Sequence, residues 1–197
     1  MKRQSAPEVL RIHTSTSVLI MGLKNVGKTT VLKQLEKISS RDLGLDDRKR
    51  RSENSLDGKV PEQLQYSEAT QFPFKGLRKM AIKAAEAFVL TYAVDDQDSF
   101  DYVTKLLSEI ITIKGDDVPL VVVANKIDKS PREVHPIIAD CVVTIDFECK
   151  HKEVCAASGE GIKDVLSCLL GFYGDSMALP DENKNSFRKR FSSLFRK

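Results

Sequence analysis

The segment Gly22-Leu23-Lys24-Asn25-Val26-Gly27-Lys28-Thr29 constrains the fold more than any other part of the chain, because it spells G-x-x-x-x-G-K-T directly after the apolar run Val18-Leu19-Ile20-Met21. That order calls for a buried strand that runs into a tight glycine turn and out into a helix, whose N-terminal N–H groups cradle phosphate oxygens. Gly22 and Gly27 permit backbone conformations and close approaches that a Cβ would obstruct. Lys28 is placed to reach the outer phosphates as a point charge and is the catalytic candidate. Thr29 is placed to offer its hydroxyl to Mg²⁺, and Thr30 follows in the same loop-to-helix step.

A second signature lies about a hundred residues on. Asn125-Lys126-Ile127-Asp128 follows the apolar run Leu120-Val121-Val122-Val123-Ala124. Asp128 is positioned to accept two N–H bonds from a guanine edge, Lys126 to stack over the base, and Asn125 to tie the loop back. Alone, this tetrapeptide fits any polar turn after a strand. After a phosphate loop it points to GTP or GDP. Cys155-Ala156-Ala157-Ser158-Gly159-Glu160-Gly161 adds a stretch of small residues before the last helix, where backbone can approach a purine; the bland reading is a helix-entry loop.

The chain's 197 residues suffice for one domain with a sizeable core. Hydrophobic and charged contents of 41% and 30% are ordinary for a soluble protein. No apolar run approaches a membrane span, and the first residues carry no secretory signal. Cys141, Cys149, Cys155 and Cys168 form no C-x-x-C pair, so reduced thiols in the cytoplasm are expected. Cys149, His151 and Cys155 suggest zinc by proximity but lack a fourth ligand at structural-site spacing. The net charge of +3 gathers in residues 186–197, where Arg188, Lys189, Arg190, Arg196 and Lys197 occur with no acid. Without them the body is slightly acidic, which excludes a nucleic-acid-binding surface as the leading reading.

Strand and helix patterns alternate along the chain. Residues 1–16 read as a flexible arm. Val18–Met21, Phe88–Val94 and Leu120–Ala124 are continuous apolar runs of the buried parallel type. Val31, Leu35 and Ile38 mark a helix after the phosphate loop, and Phe100, Val103, Leu107 and Ile110 mark another. A short helical piece is expected at 134–143, a brief strand near Val154, and a final helix on Ile162, Val165, Leu166, Leu169 and Leu170. Residues 39–58 lose the pattern and predict a long mobile loop. Residues 60–66 predict at best an edge strand because of Pro61. The whole is an α/β chain of the P-loop NTPase fold, with a mostly parallel sheet flanked by helices on both faces. Its domain spans 17–174, with 39–70 divergent.

On the phosphate loop, Asn125–Asp128, Cys155-Ala156-Ala157, residues 87–100, and Phe72-Pro73 followed by Arg78, the chain resembles a Ras-superfamily small GTPase, most closely the branch of Di-Ras and Rhes type. The resemblance covers roughly residues 17–173, except 39–70. It implies a six-stranded sheet with five helices, GTP/GDP binding with Mg²⁺, slow hydrolysis, and signal transduction through effector and regulatory proteins that the sequence does not identify.

Three departures bear on that expectation. Lys24 and Asn25 stand where the family has glycines, and Lys24 would crowd the attacking water and an arginine finger. Counting back from Phe72-Pro73 puts the family's Asp-x-x-Gly at Gln65-Tyr66-Ser67-Glu68 and its water-orienting Gln at Ala69. No threonine lies between Val31 and Ala69 to close on Mg²⁺. Weak hydrolysis is therefore expected; a nucleotide-loaded interaction module that hydrolyses nothing is the alternative, and a P-loop kinase or ATPase is disfavoured by Asp128. Residues 175–197 end without a lipidation cysteine. Phe187, Phe191, Leu194 and Phe195 fall at i, i+4, i+7 and i+8 among the cations, as in helices that lie on anionic membrane surfaces. A peripheral position at the inner face of the plasma membrane is the matching expectation, against a plain basic tail.

Overall fold

Continuous burial of three strands organises the molecule. A computed structural model describes residues 15–45, 63–69 and 74–174. Its strands are β1 (Ser15–Met21), β2 (Gln63–Ala69), β3 (Ala87–Ala93), β4 (Leu120–Asn125) and β5 (Lys150–Val154). They form one sheet in the order β2-β1-β3-β4-β5, with every pairing parallel. The helices are α1 (Lys28–Leu45), α2 (Lys75–Ala84), α3 (Gln97–Lys114), α4 (Pro136–Cys141) and α5 (Ile162–Gly174). A wider turn, Val142–Asp146, continues α4.

Alternation along the strands splits the core in two. Leu19, Met21, Phe88, Leu90, Tyr92, Leu120, Val122 and Ala124 face the side covered by α2, α3 and α4. Val18, Ile20, Val89, Val121, Val123 and Val154 face the side covered by α1 and α5. A sheet covered on both faces needs continuous apolar strands, which is what β3 and β4 supply. At the entry to α3, the Asp96 side chain accepts from Ser99 N–H at 3.1 Å, satisfying one of the orphan donors of the first turn.

Several expectations are corrected. Among the described residues the sheet has five strands; residues 46–62 lie outside them, so the expected sixth strand is not addressed. The expected loop at 39–58 is helical up to Leu45, and residues 46–58 lie outside the described residues. Ser39 is buried and its hydroxyl meets Tyr66 Oη at 2.7 Å, which ties α1 to β2. Burial pushes the Tyr66 phenol up to about 12; the Ser39 bond opposes this and Glu36 adds to it. The edge strand expected at 60–66 is instead Gln63–Ala69, beginning after Pro61; it does lie at the sheet edge. Ser15 and Thr16, assigned to the arm, already belong to β1. The zinc grouping dissolves: His151 Nδ1 meets Asp140 Oδ1 at 3.0 Å and its Nε2 meets Tyr92 Oη at 3.1 Å. No cluster of three or more metal-binding side chains occurs among the described residues. The rest of the arm, Phe72-Pro73 and the basic tail lie outside the described residues.

Candidate nucleotide site

The C-terminal ends of β1, β3 and β4 face one end of the sheet, and the loops leaving them carry the candidate residues. The loop Gly22–Gly27 leaves β1 and enters α1, where Thr30 and Val31 N–H both bond Gly27 O at 3.0 Å. Its two glycines are fixed by close approach. A Cβ on Gly22 (φ 154) would strike the Thr91 carbonyl, and one on Gly27 (φ 94) would strike the Asn125 side-chain amide. Between them, Asn25 sits at φ 66. Asparagine is among the few side chains that tolerate this left-handed turn, so the loop keeps its course without the glycine. Lys24 and Asn25 are exposed, Leu23 is half-buried, and Val26 is buried.

Lys28 is only 5% exposed, and its Nζ donates to Leu23 O at 2.6 Å, bridging the mouth of the loop. Burial holds its pKa below the ordinary lysine value, with the Glu68 carboxylate pulling the other way. Thr29 Oγ1 donates to Glu68 Oε1 at 3.1 Å. This relocates the acidic position: the carboxylate beside the phosphate loop is Glu68, three residues beyond Gln65. Gln65 lies mid-strand, paired with Ser17, and is exposed. Ala69 closes β2 opposite Met21 and packs onto the core. The Thr29 hydroxyl and the Glu68 carboxylate are hard oxygen donors, the type Mg²⁺ takes one or two of from protein while keeping water and phosphate oxygens. The residues present fit that ion.

The far half of the site is built on Asn125, which is 3% exposed. Its Nδ2 donates to Val26 O at 2.8 Å, and its Oδ1 accepts from Ala156 N–H at 3.0 Å. One side chain thus joins the phosphate loop to the 155–157 loop. Gln34 Nε2 of α1 donates to Ala156 O at 3.1 Å and braces the same loop. Lys126 (φ 66) lays its Nζ 3.2 Å from Asp95 Oδ1. Cys155 Sγ donates to Asp128 Oδ1 at 3.2 Å. That thiol, followed by backbone hydrogen bonding, holds the Asp128 carboxyl below the usual range. Asp128 and Ala157 are exposed, whereas Cys155 and Ala156 are buried.

The three signature segments therefore converge on one end of the sheet. Glu68, Asp95 and Gln34 join them; the motif count reaches Glu68 only as the residue standing where the family has glycine. Asp95 left a trace in its place just after the β3 run, and Gln34 left none.

Residues 17–171 match the model of the Ras family, which is well over half of the chain. The mouse (Mus musculus) GTP-binding protein Di-Ras1 is 29% identical over 160 residues, covering 78% of this chain and 79% of that protein. Mouse GTP-binding protein Di-Ras2 is 30% identical over 113 residues, covering 54% of this chain and 55% of that protein. Mouse GTP-binding protein Rhes is 28% identical over 132 residues, covering 61% and 48% respectively, so the chain spans about half the length of that relative. The chain belongs to the Ras family and is a small GTPase in class.

Proposed function

We propose that the chain binds GTP and GDP with Mg²⁺ at the loops leaving β1, β3 and β4, hydrolyses GTP slowly, and passes its nucleotide state to protein partners in signalling. The observation that carries this reading is Asn125 holding the phosphate loop and the 155–157 loop together through Val26 O and Ala156 N–H. That linkage makes one continuous cradle from two segments 130 residues apart.

In it, the Asp128 carboxylate accepts from the guanine edge while Cys155 fixes its orientation. The Lys126 stem lies beside the base plane, with its ammonium moored to Asp95. Lys28 exchanges the Leu23 carbonyl for phosphate oxygens, which relieves a buried cation. Thr29 and Glu68 would hold Mg²⁺, which neutralises charge developing on the phosphates. Lys24, exposed on the turn of the loop, brings bulk and a cation toward the terminal phosphate. This favours tight triphosphate binding over fast water attack and supports slow turnover.

The test is mass-spectrometric identification of nucleotide on protein purified without any addition, followed by single-turnover hydrolysis. Co-purified GDP or GTP with a rate above solution background supports the proposal. Bound guanine nucleotide with no such rate assigns a non-hydrolysing module, and ATP in place of guanine nucleotide overturns the reading.

A further inference from the structure

The outward side of α4 and the turn that continues it carries Ile137, Ile138 and Ile145, exposed at 67%, 60% and 68%. Ala139 and Val143 of the same stretch are fully buried. The segment is therefore seated on the core and presents a second apolar face to solvent. Single exposed apolar residues are commonplace, but three isoleucines within nine residues make a patch that calls for a partner. Asp140 and Asp146, both exposed, lie in the same stretch. Asp140 uses one oxygen on His151. The patch suits something apolar and cationic together.

The chain contains such a segment. In residues 186–197, Phe187, Phe191, Leu194 and Phe195 fall at i, i+4, i+7 and i+8 of the sequence, among five cations and no acid. Its origin is near enough. Tyr173, at the end of α5, lies beside Thr16 and Glu86, at the entry ends of β1 and β3. Ile145 precedes the entry end of β5 by five residues. From β1 to β5 is three strand spacings, about 14 Å. Residues 175–185 span about 36 Å extended and about 18 Å as a random coil; because α5 and α4 cover opposite faces of the sheet, rounding the β5 edge draws on the extended reach.

We propose that residues 186–197 dock in cis on the Ile137–Ile138–Ile145 face, with their aromatic stripe on the isoleucines and their cations toward Asp140 and Asp146. The proposal stands independently of the nucleotide reading, since no residue of the nucleotide site takes part.

Methyl NMR of the full chain with isotope-labelled isoleucines tests it. Three variants are compared with the unmodified protein: Phe191→Ser with Phe195→Ser, Arg188→Glu with Lys189→Glu and Arg190→Glu, and Asp146→Lys. Ring-current shifts at Ile137, Ile138 and Ile145 should be lost in the first two variants and reduced in the third. They should also weaken with added salt and stay constant on dilution. The buried Ile20, Ile82, Ile110 and Ile162 report that the fold is intact. Patch methyls indifferent to the tail substitutions overturn the proposal. Shifts that fade on dilution overturn it too, in favour of a second copy as occupant.

Discussion

Removing the Asn125 side chain should loosen nucleotide release more than any other single truncation in the far half of the site. Asn125→Ala orphans the Val26 carbonyl and the Ala156 N–H, whose residues are 0% and 1% exposed. Each buried group left unsatisfied costs about 1–3 kcal/mol. With partial relaxation the pair amounts to about 2–4 kcal/mol, or about 30-fold to about 700-fold in an equilibrium constant. Asn125→Leu keeps the volume but not the bonds and should lose as much. Asn125→Asp retains the acceptor for Ala156 while setting a carboxylate against the Val26 carbonyl, and should fall between. The assay is release of a fluorescent GDP analogue on chase with excess GDP. Urea unfolding at saturating GDP then separates loss of fold from loss of ligand. Release unchanged in both Asn125→Ala and Asn125→Leu refutes the claim that this side chain unites the cradle. Fast release in the alanine variant alone would make it a packing effect.

Asp128→Ala should weaken GDP binding about tenfold or more relative to any residual ATP binding, because a charge-assisted pair is lost; equal affinity for GTP and ATP in the unmodified protein defeats the assignment. Glu68→Gln should raise the Mg²⁺ concentration needed to slow GDP release, whereas Gln65→Ala should leave it unchanged; the reverse result would restore the position counted from the sequence. Burial depresses Lys28 in the free protein, and phosphate contact raises it on binding. GDP affinity is therefore complete below the depressed value and falls as the pH rises through it, a loss that Lys28→Arg should abolish in affinity titrations across that range. Asp146→Lys, by releasing residues 186–197, should raise salt-sensitive co-sedimentation with phosphatidylserine vesicles; no change would separate the tail's membrane affinity from its docking.

Legibility in the sequence followed the kind of constraint each segment obeys. The β1, β3 and β4 runs could be read because a sheet covered on both faces leaves few solvent-facing positions along a strand. The phosphate loop could be read because Gly22 and Gly27 are fixed by contact with Thr91 and Asn125, which no other residue type permits. The stretch of α1 around Ser39 could not, since Ser39 is buried where its hydroxyl meets Tyr66 from another element. Local composition there favours a loop, and tertiary contact overrides it. The motif count turned Glu68 toward the phosphates, but its bond to Thr29 was not legible, for a similar reason. Counting from Phe72-Pro73 assumes the family's spacing, whereas the position of a carboxylate is set by strand register: Glu68 stands opposite Ile20, within reach of Thr29. Cys155 and Asp95 meet Asp128 and Lys126, and pairings of that kind carry no periodicity at all.

The departures in the phosphate loop divide along the same physical line. Where the loop touches the sheet, its residues are small because space demands it. Where it faces solvent, at Lys24 and Asn25, the backbone asks only for a residue that accepts a left-handed turn, and Asn25 does. The cradle can therefore keep its shape while its exposed edge changes charge and bulk. Binding depends on the shape, held by Gly22, Gly27 and Asn125, whereas turnover depends on what the edge allows next to the terminal phosphate. On the proposed function, a chain with this division would retain nucleotide tightly and hydrolyse it slowly. Lys24→Gly consequently should change the hydrolysis rate with little effect on GDP affinity, and Asn125→Ala the reverse. If the two substitutions instead moved both properties together, shape and edge would have to be treated as one coupled unit.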